Sequence, residues 1–135
     1  MPSEDNVKIV LKFIEKINEH NEDGLADLMT DDHLFVDSLG GTANGREQMR
    51  NGWVHYFGAF PDFKITYTDI LQNGDTVALF GTASGTYCPK GEVLEENRWQ
   101  MPAAWKAVVR DNRIAEWHVY ADNHPVFEIM AANRA

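Results

Sequence analysis

The sequence predicts an α+β fold in which helices come first and an antiparallel sheet follows. Apolar residues recur with a helical period over most of the first 60 residues and with a period of two after them. An Asn73-Gly74 pair lies between two alternating segments, which is typical of a tight β-hairpin. Helices segregated from an antiparallel sheet define the α+β class. We expect one domain spanning residues 1–135, because that length suits one domain and no linker or repeat interrupts it.

Three helices are predicted before the sheet. The first carries an apolar face at i, i+3, i+4, i+7 and i+10: Val7, Val10, Leu11, Ile14 and Ile17. A short second helix is predicted from Leu25, Leu28 and Met29. The third starts near Asn44 and Glu47, a pair that resembles a capping box, and ends at Pro61-Asp62. Its buried face is predicted to carry Met49, Trp53, Tyr56, Phe57 and Phe60.

Alternating segments predict the strands. A short strand is expected over His33–Leu39, followed by a loop at Gly40-Gly41-Thr42. After the third helix the alternation predicts strands over residues 63–71, 76–87, 99–110 and 114–122, with Gly81 and Gly85 as bulge or bend points. His124-Pro125 predicts the start of a terminal helix. A long bent sheet with helices on its concave side would enclose a pocket.

Charge and composition exclude several classes of protein. The sequence has 12 Lys and Arg against 21 Asp and Glu, a net charge of −9, which disfavours binding to nucleic acid or to an anionic membrane surface. Its apolar stretches are far shorter than the roughly 20 residues that a membrane helix needs. The first residues are acidic where a signal peptide would be basic. A single cysteine, Cys88, suits a reducing cytoplasm, so we expect a cytoplasmic protein without a membrane partner.

No cofactor or metal is expected. The sequence contains no nucleotide-binding glycine motif, and its five histidines show no ligand spacing. Fifteen aromatic residues are a generous number for this length. They predict either an aromatic core or a pocket lined with rings.

Asp37 is the first candidate catalytic residue. It lies in the otherwise apolar strand Leu34–Leu39, where it shares one parity with Phe35 and Leu39. A carboxylate desolvated by apolar neighbours is suited to act as a general base. The alternative is a strand-end aspartate that caps the Gly40-Gly41 turn.

Asp122 is the second candidate. It shares one strand parity with Glu116, His118 and Tyr120. The alternative for Asp122 is an N-cap of the helix at Pro125, and the alternative for His118 is a surface or packing residue rather than an acid or base.

Two segments resemble the SnoaL-like members of the nuclear transport factor 2-like superfamily. They are residues 24–37, GLADLMTDDHLFVD, and residues 101–122, MPAAWKAVVRDNRIAEWHVYAD. The resemblance implies a cone-shaped α+β half-barrel, with three N-terminal helices packed on a strongly bent, mostly antiparallel sheet around an internal pocket. It also implies a homodimer. Members include polyketide cyclases, ketosteroid isomerases, limonene epoxide hydrolases and binding proteins, so this fold alone does not fix an activity.

The motifs of the related enzymes match only in part. Asp37 matches the base of the ketosteroid isomerases, but their two oxyanion-binding residues fall at Phe13 and near Ala104, so steroid isomerisation is not expected. Asp122 matches the water-activating aspartate of limonene epoxide hydrolases. The two partner residues of that aspartate do not match, because this chain has Thr82 and Ser84 at their positions. The acid–base aspartate of SnoaL-like cyclases also falls near Asp122.

These observations predict a domain that binds a small, mostly apolar organic ligand. Its chemistry would be cofactor-free acid–base catalysis next to a carbonyl, as in a cyclase, isomerase or dehydratase. Asp122 would be the acid–base residue, with Asp37 as second carboxylate or alternative base and His118 as a partner. The alternative is a non-catalytic binding or accessory dimerisation module. The expected pocket residues are Phe13, Phe35, Trp53, Tyr56, Phe57, Trp99, Trp105, Trp117 and Tyr120.

Overall fold

The computed structural model describes residues 3–133, which form four α-helices and six strands. The helices are α1 (Ser3–Asn18), α2 (Glu22–Asp27), α3 (Arg46–Ala59) and α4 (His124–Ala132). The strands are β1 (Met29–Val36), β2 (Thr42–Asn44), β3 (Lys64–Asn73), β4 (Thr76–Thr86), β5 (Arg98–Arg110) and β6 (Arg113–Ala121). A short 3-10 turn, Glu95–Asn97, precedes β5.

The strands form one open, mixed sheet in the order β2-β1-β6-β5-β4-β3. Only the β1–β6 pair is parallel, so the predicted α+β fold with a mostly antiparallel sheet is confirmed. The sheet bends where its register shifts, between Tyr67 and Asp69 on β3 and between Val108 and Val109 on β5. Opposite the first shift lies Gly81, where an added Cβ would come within 2.0 Å of the Thr66 carbonyl oxygen. Gly81 was predicted as a bulge or bend point; the extra residue of the bulge lies on β3, and Gly81 permits the close approach of that strand.

The predicted elements differ from the structure mainly around β1. Met29 was predicted in the second helix but begins β1, where it lies opposite Ile114 of β6. The strand ends at Val36 rather than Leu39, because Asp37 opens a tight turn in which the Gly40 amide donates to the Asp37 carbonyl at 3.0 Å. Thr42 was predicted in a loop and Asn44 at the start of the third helix, but residues 42–44 pair with β1 as β2.

The start of α3 also differs from the prediction. Asn44 lies in β2, and the residue that caps the helix is Gly45, at a φ of +102° and with no side-chain hydrogen bond to the helix. Arg46 instead ties the first turn to β1, because its guanidinium donates two hydrogen bonds to the Met29 carbonyl oxygen at 2.9 and 3.2 Å.

The two faces of the sheet have different surroundings. On the inner face, which the helices cover, β5 and β6 present Ala103, Trp105, Trp117 and Val119. On the outer face the alternate residues follow, with Ala104 opposite Tyr120 and Lys106 opposite His118. The apolar face of α1 packs against the inner face through Val10, Phe13, Ile14 and Ile17, all buried.

No helix among residues 3–133 is both long and apolar enough to cross a membrane. Within the same residues, no three His, Cys, Asp or Glu side chains come together in a group that could hold a metal ion. The thiol of Cys88 is free and buried.

Candidate functional site: an aromatic cavity on the inner face

A cavity of about 460 Å³ lies between α3 and the inner face of the sheet. Its size suits a small organic molecule. The residues around it come from all six strands, from α3, and from the connections after β1, before β3 and after β6. They are Phe35, Asp37, Ser38, Gly41, Thr42, Ala43, Gln48, Met49, Gly52, Trp53, Tyr56, Phe63, Ile65, Ala83, Trp99, Met101, Ala103, Trp105, Trp117, Val119, Ala121 and Asn123.

The polar groups of the cavity are concentrated where β1 and β6 end. Because these two strands are parallel, their carboxyl ends meet at one edge of the sheet. Asp37 and Ser38 follow β1 there, and Asn123 follows β6, with its side-chain amide donating to the Ser38 hydroxyl. Asp37 is the only carboxylate around the cavity, and no Lys, Arg or His lines it among the described residues. We call this edge the polar rim.

Six of the nine aromatic residues predicted for the pocket line the cavity: Phe35, Trp53, Tyr56, Trp99, Trp105 and Trp117. The strand residues among them have the inward parity, and Trp53 and Tyr56 lie on the buried side of α3. Several rings pack edge to face, as Tyr56 does on Phe63 with ring centroids 4.9 Å apart and planes at 89°. Such packing holds the aromatic wall in a fixed shape.

The other three predicted pocket residues lie elsewhere. Phe13 is fully buried beneath the sheet, where its ring packs on Trp117 at 4.9 Å between centroids. Phe57 stacks on His20 and Trp53 in the core between helices. Tyr120 lies on the outer face, 53% exposed, because its strand parity is opposite to that of Trp117. The structure thus corrects the expected wall at these positions.

Asp122 and His118 also lie outside the cavity. The Asp122 side chain is exposed, and its carboxylate accepts a hydrogen bond from the His124 amide at 3.0 Å, next to the start of α4. His118 projects from the outer face, where its Nε2 lies 2.8 Å from Glu116 Oε1. This placement corrects the assignment of both residues to acid–base chemistry in the pocket, and it agrees with the capping alternative for Asp122, although the N-cap position itself is Asn123.

Asp37 lies at the polar rim in the turn between β1 and β2. Its Oδ1 accepts hydrogen bonds from the amides of Leu39 and Gly41, both at 2.9 Å, so the predicted capping of the Gly40-Gly41 turn is present. Its Oδ2 has no hydrogen-bond partner among the described residues. A Cβ added to Gly41 would come within 2.7 Å of Oδ2, so the turn holds the carboxylate closely in place. Asp37 is exposed at the rim rather than desolvated, which differs from the sequence expectation.

The prediction missed most of the smaller residues around the cavity. Met101 and Ala103 share the inward parity of Trp99 and Trp105, and Val119 and Ala121 share that of Trp117. That parity was a signal that could have identified them. No sequence signal identified Ser38 and Asn123, because they come together only through the parallel β1–β6 pair.

The family model of the SnoaL-like domain matches residues 10–117. None of the curated proteins matches the chain in sequence. Solved structures do match, over nearly the whole chain.

A candidate SnoaL-like polyketide cyclase from Jannaschia sp. CCS1 superposes with a TM-score of 0.83 at 18% identity, covering 98% of this chain and 95% of that one. A candidate polyketide cyclase from Streptomyces antibioticus gives 0.76 at 24% identity, with 93% and 98% covered.

A third similar structure is a protein with a ketosteroid isomerase-like fold from Catenulispora acidiphila DSM 44928, determined in complex with trimethylamine. It gives a TM-score of 0.77 at 22% identity and covers 91% of this chain and 92% of that one. At these identities the superpositions show a shared fold and no shared activity. With the family model matching most of the chain, they lead to one conclusion: the chain belongs to the SnoaL-like family and has the ketosteroid isomerase-like, nuclear transport factor 2-like fold.

Proposed function

We propose that the protein binds a small, mostly apolar organic ligand in the central cavity and carries out cofactor-free acid–base chemistry next to a ligand carbonyl. The reaction class is that of a cyclase, isomerase or dehydratase. The observation that carries the proposal is an aromatic cavity with a single carboxylate, Asp37, at its polar rim. The SnoaL-like family and its cyclase-like structural relatives support the same class of reaction.

Asp37 has the geometry for a positioned base. Two amide hydrogen bonds fix Oδ1, and Oδ2 is left for a ligand. In the proposed step Oδ2 takes a proton from the carbon next to the carbonyl, and the electron pair of that C–H bond moves into an enolate. The proton then returns to another atom of the same ligand, so no cofactor or second reactant is consumed.

The second candidate function is binding without catalysis. It is favoured by the same two hydrogen bonds, because a carboxylate that caps the Asp37–Gly41 turn has a structural reason to be there. In that case the cavity would hold its ligand unchanged. The two functions differ in what the loss of the Asp37 charge does.

A thermal-shift screen with aromatic and cyclic ketones identifies ligands, and product analysis of each hit identifies turnover. Asp37→Asn keeps an oxygen that accepts the two amide hydrogen bonds, so we expect normal folding and binding with turnover lowered by about 100-fold or more. Asp122→Asn is the matched control, and its turnover should stay within about twofold of the wild type. Turnover that survives intact in Asp37→Asn, or hits that bind without any turnover, would favour the binding module.

Gly41→Ala gives a second test that leaves the carboxylate chemically intact. The added methyl would lie 2.7 Å from Oδ2 and must displace it. We expect turnover to fall in Gly41→Ala as well, because a base must sit within hydrogen-bond reach of the proton it removes. Normal turnover in this variant would contradict a positioned Asp37.

We also propose that two copies of the chain associate through the outer face of the sheet. Phe80 is 44% exposed and Tyr120 is 53% exposed there, and a shallow groove between them includes Pro102 and Ala104. A patch of exposed aromatic side chains can mark a protein–protein interface, and a second copy related by a two-fold axis would cover both residues. Light scattering should then give twice the chain mass of 15.3 kDa.

The single buried thiol supports a cytoplasmic location.

A further inference from the structure

The wall of the cavity contains four indoles, and they fall into two groups. The indole nitrogens of Trp53, Trp99 and Trp117 are sealed from the cavity and have no hydrogen-bond partner among the described residues. Their ring carbons form the wall, so these three tryptophans offer a ligand apolar surface and no donor.

Trp105 differs from the other three. Its side chain is buried and lines the cavity from β5. Its indole nitrogen has no hydrogen-bond partner among the described residues, but unlike the other three it does not belong to the fully buried unpartnered atoms. The Trp105 N–H is therefore a donor without a described partner in the wall of the cavity. An indole N–H can only donate a hydrogen bond, so a matching ligand atom must be an acceptor.

Tyr56 provides the same kind of group from α3. Its ring is held by Trp53, Phe60 and Phe63, and its hydroxyl likewise has no partner among the described residues and is not sealed. Burial raises the pKa of the Tyr56 phenol, so the hydroxyl keeps its proton at neutral pH. One donor thus comes from the helix wall and one from the sheet wall.

We propose that Tyr56 and Trp105 are the ligand-binding donors of the cavity and that they hold a carbonyl oxygen of a neutral aromatic or cyclic ketone. This assignment rests on the proposed function and deepens it. If the ligand forms an enolate, hydrogen bonds from the two donors would stabilise the oxygen on which charge develops. They thereby replace the oxyanion-binding residues that are missing at Phe13, which has no hydroxyl, and at Ala104, which lies on the outer face.

The charges around the cavity favour a neutral ligand. Among the described residues Asp37 is the only charged side chain that lines the cavity, and the chain has a net charge of −9, so a ligand anion would be repelled. The competing ligand is an ammonium ion held by the ring faces and Asp37. One N–H donor and one O–H donor in the wall of the cavity would oppose a cation, because their hydrogens carry partial positive charge.

The assignment is tested with two bicyclic probes of similar size, 1-tetralone and the hydrocarbon tetralin, by calorimetric titration. The readout is the ratio of the two affinities, which isolates the contribution of the carbonyl oxygen. Tyr56→Phe and Trp105→Phe should each lower the preference for the ketone by about three- to tenfold, the effect of one neutral hydrogen bond. Tyr67→Phe, at an exposed tyrosine of β3 outside the cavity, is the matched control and should leave the ratio unchanged.

Ala103→Phe separates failure of the donor assignment from failure of the proposed function, because it fills the cavity from β5. One outcome is that Ala103→Phe weakens the binding of both probes while Tyr56→Phe and Trp105→Phe leave the affinity ratio unchanged. In that case the cavity binds ligands and only the donor assignment is overturned. If Ala103→Phe weakens neither probe, binding lies outside the cavity and the proposed function fails. No binding of 1-tetralone at millimolar concentration, or preferred binding of benzyltrimethylammonium, would also overturn the donor assignment.

Discussion

The two faces of β6 carry opposite kinds of residues and have opposite surroundings. Trp117, Val119 and Ala121 lie against the cavity, whereas Glu116, His118 and Tyr120 alternate with them on the outer face. The outward set has the richer chemistry, with a carboxylate hydrogen-bonded to a histidine at 2.8 Å. Its residues nevertheless cannot reach a ligand in the cavity, because successive side chains of a strand point to opposite faces.

The parity of a residue along its strand decides whether its side chain can act on a ligand in the cavity. The inward residues of β5 and β6 are apolar or aromatic. The one carboxylate at the cavity within residues 3–133, that of Asp37, comes from a turn rather than from a strand. Here the strands shape the cavity and the connection after β1 supplies its charge. This division is common, because rigid elements position loops that carry function.

The largest expected difference between the faces concerns stability. Trp117 is 1% exposed and packs on Phe13 beneath the cavity. Trp117→Ala should lower the free energy of unfolding by about 3–5 kcal/mol, as expected when a large buried ring is lost. His118→Ala, the adjacent outward residue, should cost about 1 kcal/mol or less, since it loses mainly one hydrogen bond. Urea unfolding of both variants measures the difference, and equal losses would contradict the assigned faces.

The outer face should control association instead. Tyr120→Lys places a charge at the centre of the proposed interface, and two-fold symmetry brings the new charges of both copies to that interface. We expect at least a tenfold higher dissociation constant by analytical ultracentrifugation, with 1-tetralone binding unchanged. Tyr67→Lys on β3 is the control. A wild-type protein that sediments as a monomer at micromolar concentration would contradict the proposed dimer.

A histidine of the interior should make stability depend on pH. His33 is fully buried. Its Nδ1 lies 2.8 Å from the Ile114 carbonyl oxygen, which can only accept, so Nδ1 must carry the proton. Its Nε2 is buried and has no hydrogen-bond partner among the described residues. Burial lowers the pKa of His33 below its ordinary 6.5. Above pH 6.5 the ring is neutral in both folded and unfolded chains, so its titration changes nothing.

Below pH 6.5 the unfolded chain takes up a proton that the folded chain does not. Stability should therefore fall, by up to about 1.4 kcal/mol per pH unit, until the pH reaches the lowered pKa. Urea unfolding between pH 7 and pH 5 should show this slope in the wild type and in His55→Gln, an exposed control, and should show a smaller slope in His33→Gln. An unchanged slope in His33→Gln would exclude His33 as its source.

The smallest effect is expected at Asp122. Its carboxylate accepts the His124 amide next to the start of α4, and an asparagine can accept the same hydrogen bond. Asp122→Ala should lower the free energy of unfolding by about 1 kcal/mol or less, while Asp122→Asn should be nearly silent. Thermal unfolding of the two variants checks this, and an equal loss in both would show that the charge rather than the hydrogen bond matters.

Local patterns predicted much of this fold from the sequence. The alternation over Trp99–Arg110 and the Asn73-Gly74 hairpin correspond to β5 and to the β3–β4 connection. The β1 region was less predictable, because Met29 becomes a strand residue only through its pairing with Ile114, 85 positions further along the chain. Such a contact leaves no local pattern.

In the candidate site, too, the features with a local sequence pattern were predicted and those that depend on long-range pairing were not. Four tryptophans and Tyr56 were predicted for the wall, and all five line the cavity. Asp122 was favoured over Asp37 because it ends an aromatic-rich strand at a position that matches the catalytic aspartate of two related families. The inward parity of Trp117 and Val119, however, places the opposite set of residues outside. The polar rim needed the parallel β1–β6 pair, which only the tertiary structure shows.

Ligands are expected to bind to the inner face of the sheet and not to the outer one. Methyl NMR during a titration with 1-tetralone tests this expectation most directly. Ala103 and Ala121 line the cavity, whereas Ala104 and Ala78 lie on the outer face, so adjacent methyl groups report on opposite sides of the sheet. We predict saturable shifts of the Ala103 and Ala121 methyl signals, with Ala104 and Ala78 unchanged. Saturable shifts of Ala104 and Ala78, with Ala103 and Ala121 unmoved, would contradict the account.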